Sequence, residues 1–539
     1  MLTCGELLVQ LLEKYGVELV FGIPGVHTVE LYRGLPTTHI RHITPRHEQG
    51  AGFMADGYAR VSGKPGVCFI ITGPGMTNIM TAMGQAYADS IPMLVISSVN
   101  RTEQLGMRSG RLHELPSQRG LVEGVTAFSH TLMRPDELPA VLSRAFAVFS
   151  SARPRPVHIE IPTDVITANA DHVSKKLGAI PSRPAPCPKA IGQAAQLLRE
   201  AQRPVVLLGG GTCDGRHEAI ALVEALDAPV ACTINAKGVL PKNHPLALGS
   251  NQSLPPVREL LLEADVVLAI GTELGETDYD VVFDGGFRIG GTLIRIDIDA
   301  EQLHGNFLAD VAILSDATMA MRALREALST RNKTTRGSSG ATRAAAVRKQ
   351  LAAQWPAAWS GQKRTLEVIQ ETLPDVIVAG DSTQPVYSGN HLYEAQRPRS
   401  WFNSSTGYGT LGYGLPAAVG AKLAAGFRPV IALIGDGGLQ FTLSELASAV
   451  EAQAPIIVLL WNNHGYGEIK RYMERRNIPQ IGVDIYTPDL LAAARALGCH
   501  AQRAESFDHL RQLLVEGSQS KKPFVIELLE AASYMTARQ

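Results

Sequence analysis

Two hydrophobic patterns alternate along the chain, one with helical spacing and one of short continuous runs. Near the start, Leu7, Leu8, Leu11, Leu12 and Tyr15 recur at the spacing of one helix face. Short apolar runs with β-branched residues, bounded by Gly or Pro, predict buried parallel strands. The first third of the chain contains three such runs, at 67–71, 93–97 and 157–161.

The same alternation returns twice more, separated by polar segments rich in Pro, Gly and Ser. Runs at 204–208, 229–233, 266–270 and 292–298 predict a second sheet, and runs at 376–379, 430–434, 456–461 and 524–528 predict a third. Residues 171–189 and 331–343 have the composition of linkers. The chain is therefore expected to be α/β, with three doubly wound parallel-sheet domains in series at 1–170, 190–328 and 360–530.

Composition narrows the class of protein. The chain has 539 residues, 45% of them hydrophobic, so it can form large cores and is not disordered. Lys and Arg total 50 against 51 Asp and Glu, so no basic excess is available to bind nucleic acid. Six scattered cysteines and an N-terminal amphipathic helix favour a cytoplasmic protein with no membrane segment.

The strongest chemical signal lies in the third domain. Gly435-Asp436-Gly437 follows one predicted strand, and Asn462-Asn463 follows the next, with 24 residues between Gly437 and Asn462. That interval holds one helical crossover, so both segments should reach the carboxyl edge of one sheet, where α/β proteins bind ligands. Carboxylate and amide oxygens suit Mg²⁺, and glycines at a helix start let the backbone approach a diphosphate.

This spacing resembles the cofactor motif of the thiamine diphosphate-dependent 2-oxo acid enzymes related to acetolactate synthase and benzoylformate decarboxylase. The resemblance covers essentially the whole chain and implies a pyrimidine-binding, a Rossmann-like middle and a diphosphate-binding domain. It implies thiamine diphosphate and Mg²⁺ as cofactors, with the metal bound by Asp436, Asn463 and the backbone carbonyl of Gly465.

In the segment RHEQGAGFMADGYAR, Glu48 stands at a predicted helix start, where a carboxylate is favourable. By the resemblance, Glu48 hydrogen-bonds N1′ of the aminopyrimidine and activates the cofactor. The family places this glutamate across a subunit interface from the diphosphate, so the resemblance implies a homodimer or a homotetramer.

Further cofactor contacts follow from the resemblance. Leu411 corresponds to the bulky residue that shapes the cofactor, and Gly409 to the residue whose carbonyl holds its 4′-amino group. The remaining expected cofactor contacts are Gly25, Ser382, Thr383, Gln384, Gly435, Gly437, Gly438 and Tyr466.

Proton transfer is harder to assign. Ile71 stands where benzoylformate decarboxylase carries a histidine, so the proton relay of that enzyme is not reproduced. His113 is the candidate substitute because imidazole has a suitable pKa, although a surface loop histidine is an equally good interpretation. His27 is expected either to be structural or to support a residue of the active site without touching the substrate.

Carboxylates near the expected active site bear on the substrate. Glu276 and Asp278 lie in an acidic segment after a middle-domain strand, and Glu468 follows the metal motif. Carboxylates in a cleft favour cationic groups, above all guanidinium. The hypothesis is a 2-oxo acid with a cationic tail, such as 5-guanidino-2-oxopentanoate. The alternative is a solvated acidic loop, with Glu468 paired to Lys470 or Arg471 on its own helix.

The expected reaction is decarboxylation of a 2-oxo acid to an aldehyde, with Glu48, His113 and Glu468 as catalytic candidates. One alternative is an acetolactate synthase-like carboligase acting on pyruvate, which the segment GPGMTN supports. The other is a catalytically silent homologue, which the presence of Glu48, Asp436 and Asn463 disfavours. The acidic segment also argues against FAD in the middle domain.

Overall fold

A computed structural model describes residues 1–281, 283–329 and 339–536. The expected α/β class is confirmed, because the described residues form three parallel sheets with helices between the strands. The chain divides into two compact units. One comprises Met1–Ser182, Val378–Thr383 and Tyr408–Glu530, and the other Arg183–Ile377, Gln384–Gly407 and Ala531–Gln539.

The first sheet has six parallel strands in the order β2-β1-β3-β4-β6-β5. Its strands are β1 (Leu19–Gly22), β2 (Arg41–Ile43), β3 (Gly66–Ile70), β4 (Met93–Val99), β5 (Phe128–Thr131) and β6 (Val157–Pro162). The helices of this part are Cys4–Lys14, Val29–Gly34, Glu48–Ser62, Pro74–Ala88, Gln118–Leu121, Leu138–Ser151 and Thr163–Ile166.

The second sheet has five parallel strands in the order β11-β10-β9-β7-β8. They are β7 (Pro204–Leu208), β8 (Val230–Cys232), β9 (Val266–Ile270), β10 (Thr292–Asp297) and β11 (Val311–Leu314). Val206 and Leu208 pack in one hydrophobic core, and Val205 and Leu207 in another. Successive side chains of a strand point to opposite faces, so this sheet is covered on both sides.

The helices around the second sheet are Pro188–Glu200, Arg216–Leu226, Pro255–Leu262, Glu276–Tyr279, Ala317–Leu328 and Gly340–Gln354. The last of these corrects the linker predicted at 331–343. Ser339 caps the helix by accepting a hydrogen bond from the backbone N–H of Thr342, so residues 340–343 form its first turn. Residues 331–338 lie outside the described residues.

The third sheet has the order β13-β12-β14-β15-β17-β16. Its strands are β12 (Ile377–Gly380), β13 (Trp401–Asn403), β14 (Val430–Gly435), β15 (Ile457–Asn462), β16 (His500–Arg503) and β17 (Phe524–Leu529). The helices of this part are Ser360–Thr372, Gln384–Leu392, Gly414–Ala424, Asp436–Thr442, Glu445–Glu451, Gly467–Arg475, Leu490–Ala496, Phe507–Gln519 and Ser533–Thr536. The single helical crossover expected between Gly437 and Asn462 instead consists of two short helices, of which the first starts at Asp436.

Small residues let two helices of the first unit touch. Glycines at 57 and 420 bring Glu48–Ser62 and Gly414–Ala424 together, with Gly57 against the backbone of Ala417 and Gly420 against that of Met54. A Cβ at either glycine would overlap those backbone atoms. The small residues of these two helices therefore serve their close packing. In the described part of the chain, no helix is both long and apolar enough to cross a membrane.

Candidate active site

The segments Gly435-Asp436-Gly437 and Asn462-Asn463 meet at the same edge of the third sheet. Strands β14 and β15 pair in parallel, with Gly435 opposite Trp461. The Asp436 carboxylate is buried. Its Oδ1 accepts the backbone N–H of Asn463 at 3.3 Å, and its Oδ2 accepts the Thr487 hydroxyl at 3.0 Å. Burial raises the pKa of Asp436, and the bonds from Asn463 and Thr487 oppose that rise.

The two adjacent asparagines have different environments. The Asn462 side chain donates to Glu527 Oε1 at 2.7 Å and accepts the backbone N–H of His464 at 3.1 Å. Among the described residues, no hydrogen bond occupies the side-chain amide of Asn463, which is half-buried. Asn462 therefore shapes the loop, whereas Asn463 offers a free amide oxygen beside a buried carboxylate. This donor set of hard oxygens fits Mg²⁺.

The loop after Asn463 is tight and brings an aromatic ring over a helix start. His464 has a φ of 59° and Gly465 a φ of 152°, which only glycine adopts readily. Tyr466 donates its backbone N–H to Val483 O at 2.9 Å. A Cβ at Gly437 would lie 2.7 Å from the Tyr466 ring, so glycine at 437 lets the ring lie against the first turn of Asp436–Thr442.

Asp381, directly after β12, holds the neighbouring segments together. Its side chain is fully buried and accepts the backbone N–H groups of Ser382 and Gly414 at 2.8 and 2.9 Å. Burial raises its pKa to about 6. A Cβ at Gly438 would lie 3.0 Å from Asp381 Oδ1. The sequence indicated this segment for the diphosphate, but the anchoring role of Asp381 itself was missed.

The other residues of the third domain that were expected to contact the cofactor are divided between the two units. A Cβ at Gly435 would lie 2.9 Å from Thr383 Oγ1, so those two residues are in contact. Gly409 is exposed with a φ of 75°, and Leu411 is half-buried two residues later. Gln384 is buried at the start of Gln384–Leu392, within the second unit.

Glu48 is the first residue of Glu48–Ser62, as its sequence context predicted. Asn78 donates its side-chain N–H to Glu48 Oε2 at 2.9 Å. A Cβ at Gly75 would lie 3.3 Å from Glu48 Oε1, and Gly25 packs against the side chain of Ile71. Asn78 was missed as an individual residue, although the segment GPGMTN that contains it was noticed.

His113 and His27 form a pair, which the sequence did not reveal. Their rings meet edge to face with centroids 5.2 Å apart. The Nδ1 atom of each is buried without a hydrogen-bond partner in the structure. His113 has a φ of 62°, a strained conformation for a residue with a side chain. Burial and then the neighbouring His113 lower the pKa of His27.

A buried polar network lies beneath this pair. Gln118 Oε1 accepts the backbone N–H of Gly73 at 3.0 Å, and its Nε2 donates to Glu160 at 3.2 Å and to Ser97 at 3.0 Å. Ser97 also bonds His158, whose burial lowers its pKa to about 3. No motif marks Gln118, Glu160 or His158, and sequence reasoning missed all three.

The three candidate specificity carboxylates have unequal partners. Asp278 accepts the backbone N–H of Ile234 at 2.8 Å, which gives it a structural role in its own unit. Glu276 is exposed, and its carboxylate makes no hydrogen bond or ion pair with any described residue. Glu468 lies 3.4 Å from Arg475 on its own helix. Lys470 pairs with Asp484, and Arg471 pairs with Glu530.

Three family models match the chain in sequence. Residues 2–121 match the thiamine pyrophosphate enzyme N-terminal TPP binding domain, residues 191–324 the central domain and residues 381–528 the C-terminal TPP binding domain. These matches show thiamine diphosphate as the cofactor. The chain thus contains both TPP binding domains, and the central domain lies between them in the sequence.

Similar proteins agree with these matches. A probable 2-ketoarginine decarboxylase, AruI, of Pseudomonas aeruginosa is 46% identical over 99% of this chain and 95% of its own. A probable acetolactate synthase large subunit of Methanocaldococcus jannaschii is 31% identical over 97% of this chain and 91% of its own. Acetolactate synthase isozyme 1 large subunit of Escherichia coli is 33% identical over 86% and 82%. The chain belongs to the thiamine pyrophosphate enzyme family.

Proposed function

We propose that this protein is a non-oxidative decarboxylase that converts a 2-oxo acid with a cationic tail, 5-guanidino-2-oxopentanoate foremost, into an aldehyde and CO₂. The carbon–carbon bond to the carboxylate breaks, and a proton replaces the departing CO₂. The observation that carries the proposal is 46% identity over almost the whole chain to a probable 2-ketoarginine decarboxylase. The presence of Glu48 in the first domain and of Asp436 and Asn463 in the third, the candidate residues for the cofactor and its metal, supports it.

Mg²⁺ is the proposed metal, held by Asp436, Asn463 and the carbonyl of Gly465. The buried carboxylate and the free amide oxygen support that choice. Thiamine diphosphate supplies the electron sink for the pair released as CO₂ leaves. Asp381 fixes the segments on which the diphosphate would lie, and Glu48 would hold a proton at N1′ of the aminopyrimidine.

Assembly into a homodimer or homotetramer is part of the proposal. Within the described chain, the Glu48 carboxylate is bonded by Asn78, and no hydrogen bond joins it to Asp436 or Asn463. A cofactor that contacts both Glu48 and the Asp436–Asn463 segments would then bind between two copies of the chain. A cytoplasmic location is also proposed, and six free cysteines support it.

His113 is proposed to move the proton that replaces CO₂. Its buried Nδ1 without a partner and its strained backbone support a functional role, because strain of this kind persists where the surroundings impose it. His27, packed against the His113 ring, would orient it. Ile71, packed between Gly25 and Gly75, supplies apolar surface rather than a proton donor.

Glu468 is the proposed contact for the cationic tail, and Glu276 is a separate candidate specificity residue within the second unit. The pairing of Glu468 with Arg475 is loose and partly exposed, so it contributes little stability. A substrate guanidinium could displace Arg475 and pair with the carboxylate in bidentate fashion. Asp278 is proposed to shape the acidic segment, because its carboxylate already accepts the Ile234 N–H.

The test is CO₂ release with thiamine diphosphate and Mg²⁺ across 5-guanidino-2-oxopentanoate, 6-amino-2-oxohexanoate, pyruvate and an aliphatic 2-oxo acid. Glu468→Leu should lower kcat/KM for the guanidino acid about tenfold or more, a factor of ten being about 1.4 kcal/mol. The aliphatic acid should be unaffected. Exposed Glu474 on the same helix gives the matched control, Glu474→Leu. An unchanged preference in Glu468→Leu contradicts the assignment.

A carboligase acting on pyruvate is the second candidate. The segment GPGMTN and the acetolactate synthases at 31% and 33% identity favour it. Product analysis separates the two reactions. Preference for pyruvate, with acetolactate as product, would replace the decarboxylase proposal.

A further inference from the structure

A buried carboxylate from the third-sheet part of the chain contacts the turn that precedes Glu48. Glu445 is the first residue of helix Glu445–Glu451, and its side chain is fully buried. Its Oε1 accepts the backbone N–H groups of Arg46 and His47, each at 3.0 Å, and its Oε2 accepts that of Arg46 at 3.1 Å. All these residues belong to the first unit. One distant side chain therefore holds the two residues directly before Glu48.

The start of helix Glu48–Ser62 leaves room for this carboxylate. His47 is the N-cap, and its Nδ1 accepts the backbone N–H of Gln49 at 3.1 Å. A Cβ at Gly50 would lie 2.3 Å from Glu445 Oε1, so glycine at 50 permits the close approach. Negative charge is favourable at this end of a helix. Burial raises the pKa of Glu445, and the N–H donors of Arg46 and His47 oppose that rise.

Helix Glu445–Glu451 also contacts the preceding segment at two other points. The exposed side chains of Arg46 and Glu451 form an ion pair, and Arg41 on β2 donates to the backbone carbonyl of Ala452. An exposed ion pair contributes little stability. The buried carboxylate of Glu445 is therefore the contact that fixes the Arg46–His47 turn.

We propose that Glu445 is a positioning residue for Glu48: its carboxylate holds the Arg46–His47 turn and thereby places the Glu48 side chain at the start of its helix. The inference rests on the proposed function, in which Glu48 activates the cofactor. Asn78 donates to the Glu48 side chain itself, whereas Glu445 acts on the backbone that carries that side chain. Because a proton is transferred only between well-placed groups, a displaced turn should slow activation of the cofactor even with Glu48 present.

The rate of C2–H exchange of thiamine diphosphate bound to the full-length protein, measured at saturating cofactor and Mg²⁺, tests the proposal. In Glu445→Gln, the amide NH₂ would face the Arg46 N–H in either orientation, because both carboxylate oxygens accept from that donor. In Gly50→Ala, the new Cβ displaces Glu445 Oε1, although alanine favours the helix. Both variants should lower the exchange rate and kcat about tenfold or more.

Glu451→Gln is the matched control, because it removes only the exposed ion pair with Arg46. It lies on the same helix as Glu445 and should change the exchange rate by no more than about twofold. Unchanged exchange in both Glu445→Gln and Gly50→Ala would overturn the proposal. So would an equal loss in Glu451→Gln.

A double variant separates positioning from general destabilisation. If Glu445 acts through Glu48, adding Glu445→Gln to Glu48→Gln should lower the exchange rate no further, because coupled residues are not additive. A merely structural residue would lower the rate by the same factor in both backgrounds, and that result would overturn the proposal. Unchanged exchange in Glu48→Gln alone would instead contradict the proposed function, so the two failures are distinguishable.

Discussion

At the scale of single residues, chemistry depends on partners that the sequence does not name. Asn462 and Asn463 are adjacent and identical in type, yet Glu527 binds the side chain of the first, whereas no described residue hydrogen-bonds the side chain of the second. Glu48 has a helix-start position and accepts a hydrogen bond from the Asn78 side chain. Asp278 has a backbone donor that already satisfies it. These contacts decide which side chains remain available to a ligand.

Glu48→Gln tests the proposed activation of the cofactor. Glutamine keeps an oxygen that can accept the Asn78 N–H, so folding should be preserved. It cannot hold the exchangeable proton at N1′, so kcat should fall by about 10²–10⁴, the usual range for lost acid–base catalysis. The rate of C2–H exchange of bound thiamine diphosphate should fall with it. Glu123→Gln, at an exposed position, is the control. Full activity in Glu48→Gln would refute the role.

At the scale of elements, buried polar side chains fix how strands and turns fit together. Strand β6 carries His158 and Glu160, which face Ser97 on β4 and Thr131 on β5. Through Gln118, Glu160 also connects to the backbone of Gly73, directly before helix Pro74–Ala88. Such a network is stabilising only when each member has its partner, so it ties the sheet to the turn that leads to Asn78.

The pKa of His158 predicts an effect of pH on stability. An unfolded histidine titrates near 6.5, whereas His158 has a folded pKa of about 3. Between those values the unfolded state binds the extra proton, so the free energy of unfolding falls as pH falls. His158→Gln should make the fall between pH 6 and pH 4 less steep, by up to about 1.4 kcal/mol per pH unit.

Denaturant unfolding at several pH values measures this slope. Glutamine can still bond Ser97 and Ser129, the two partners of His158, but it cannot titrate. His304→Gln, at an exposed position, should leave the slope unchanged. An equal slope in His158→Gln and the parent protein would mean that other groups dominate the acid transition.

At the scale of the whole molecule, the candidate cofactor residues come from both ends of the chain. Glu48 starts a helix in the part of the chain that forms the first sheet, and Asp436 and Asn463 directly follow strands β14 and β15 of the third sheet. A cofactor that contacts both segments binds only where both are folded and assembled, so its binding stabilises both. The proposed homotetramer should have about four times the chain mass of 57.8 kDa, which light scattering after size-exclusion chromatography measures.

Cofactor removal should destabilise the whole molecule. Ligand bound only to the folded state stabilises it by about 2.7 kcal/mol at a hundredfold excess over Kd. Thiamine diphosphate with Mg²⁺ should therefore raise Tm, and EDTA should reverse most of the rise. Asp436→Asn should lose the Mg²⁺-dependent part, whereas Asp508→Asn, at an exposed helix start, should keep it. A Tm shift in Asp436→Asn equal to that of the parent protein would contradict the metal assignment.

The sequence by itself determined the fold class, the presence of three sheets with part of their strands, and the positions of Glu48, Asp436 and Asn463 in their elements. Hydrophobic periodicity and the glycines that end strands are local properties, so they can be read without the tertiary structure. It did not determine the helix from Gly340, which depends on the Ser339 cap beside a polar segment. Only the tertiary structure decided the pairing of His27 with His113 and the anchoring by Asp381. Each of these contacts joins residues that are distant in the chain. Burial, which no local sequence pattern encodes, determines the pKa values and hydrogen bonding of their side chains.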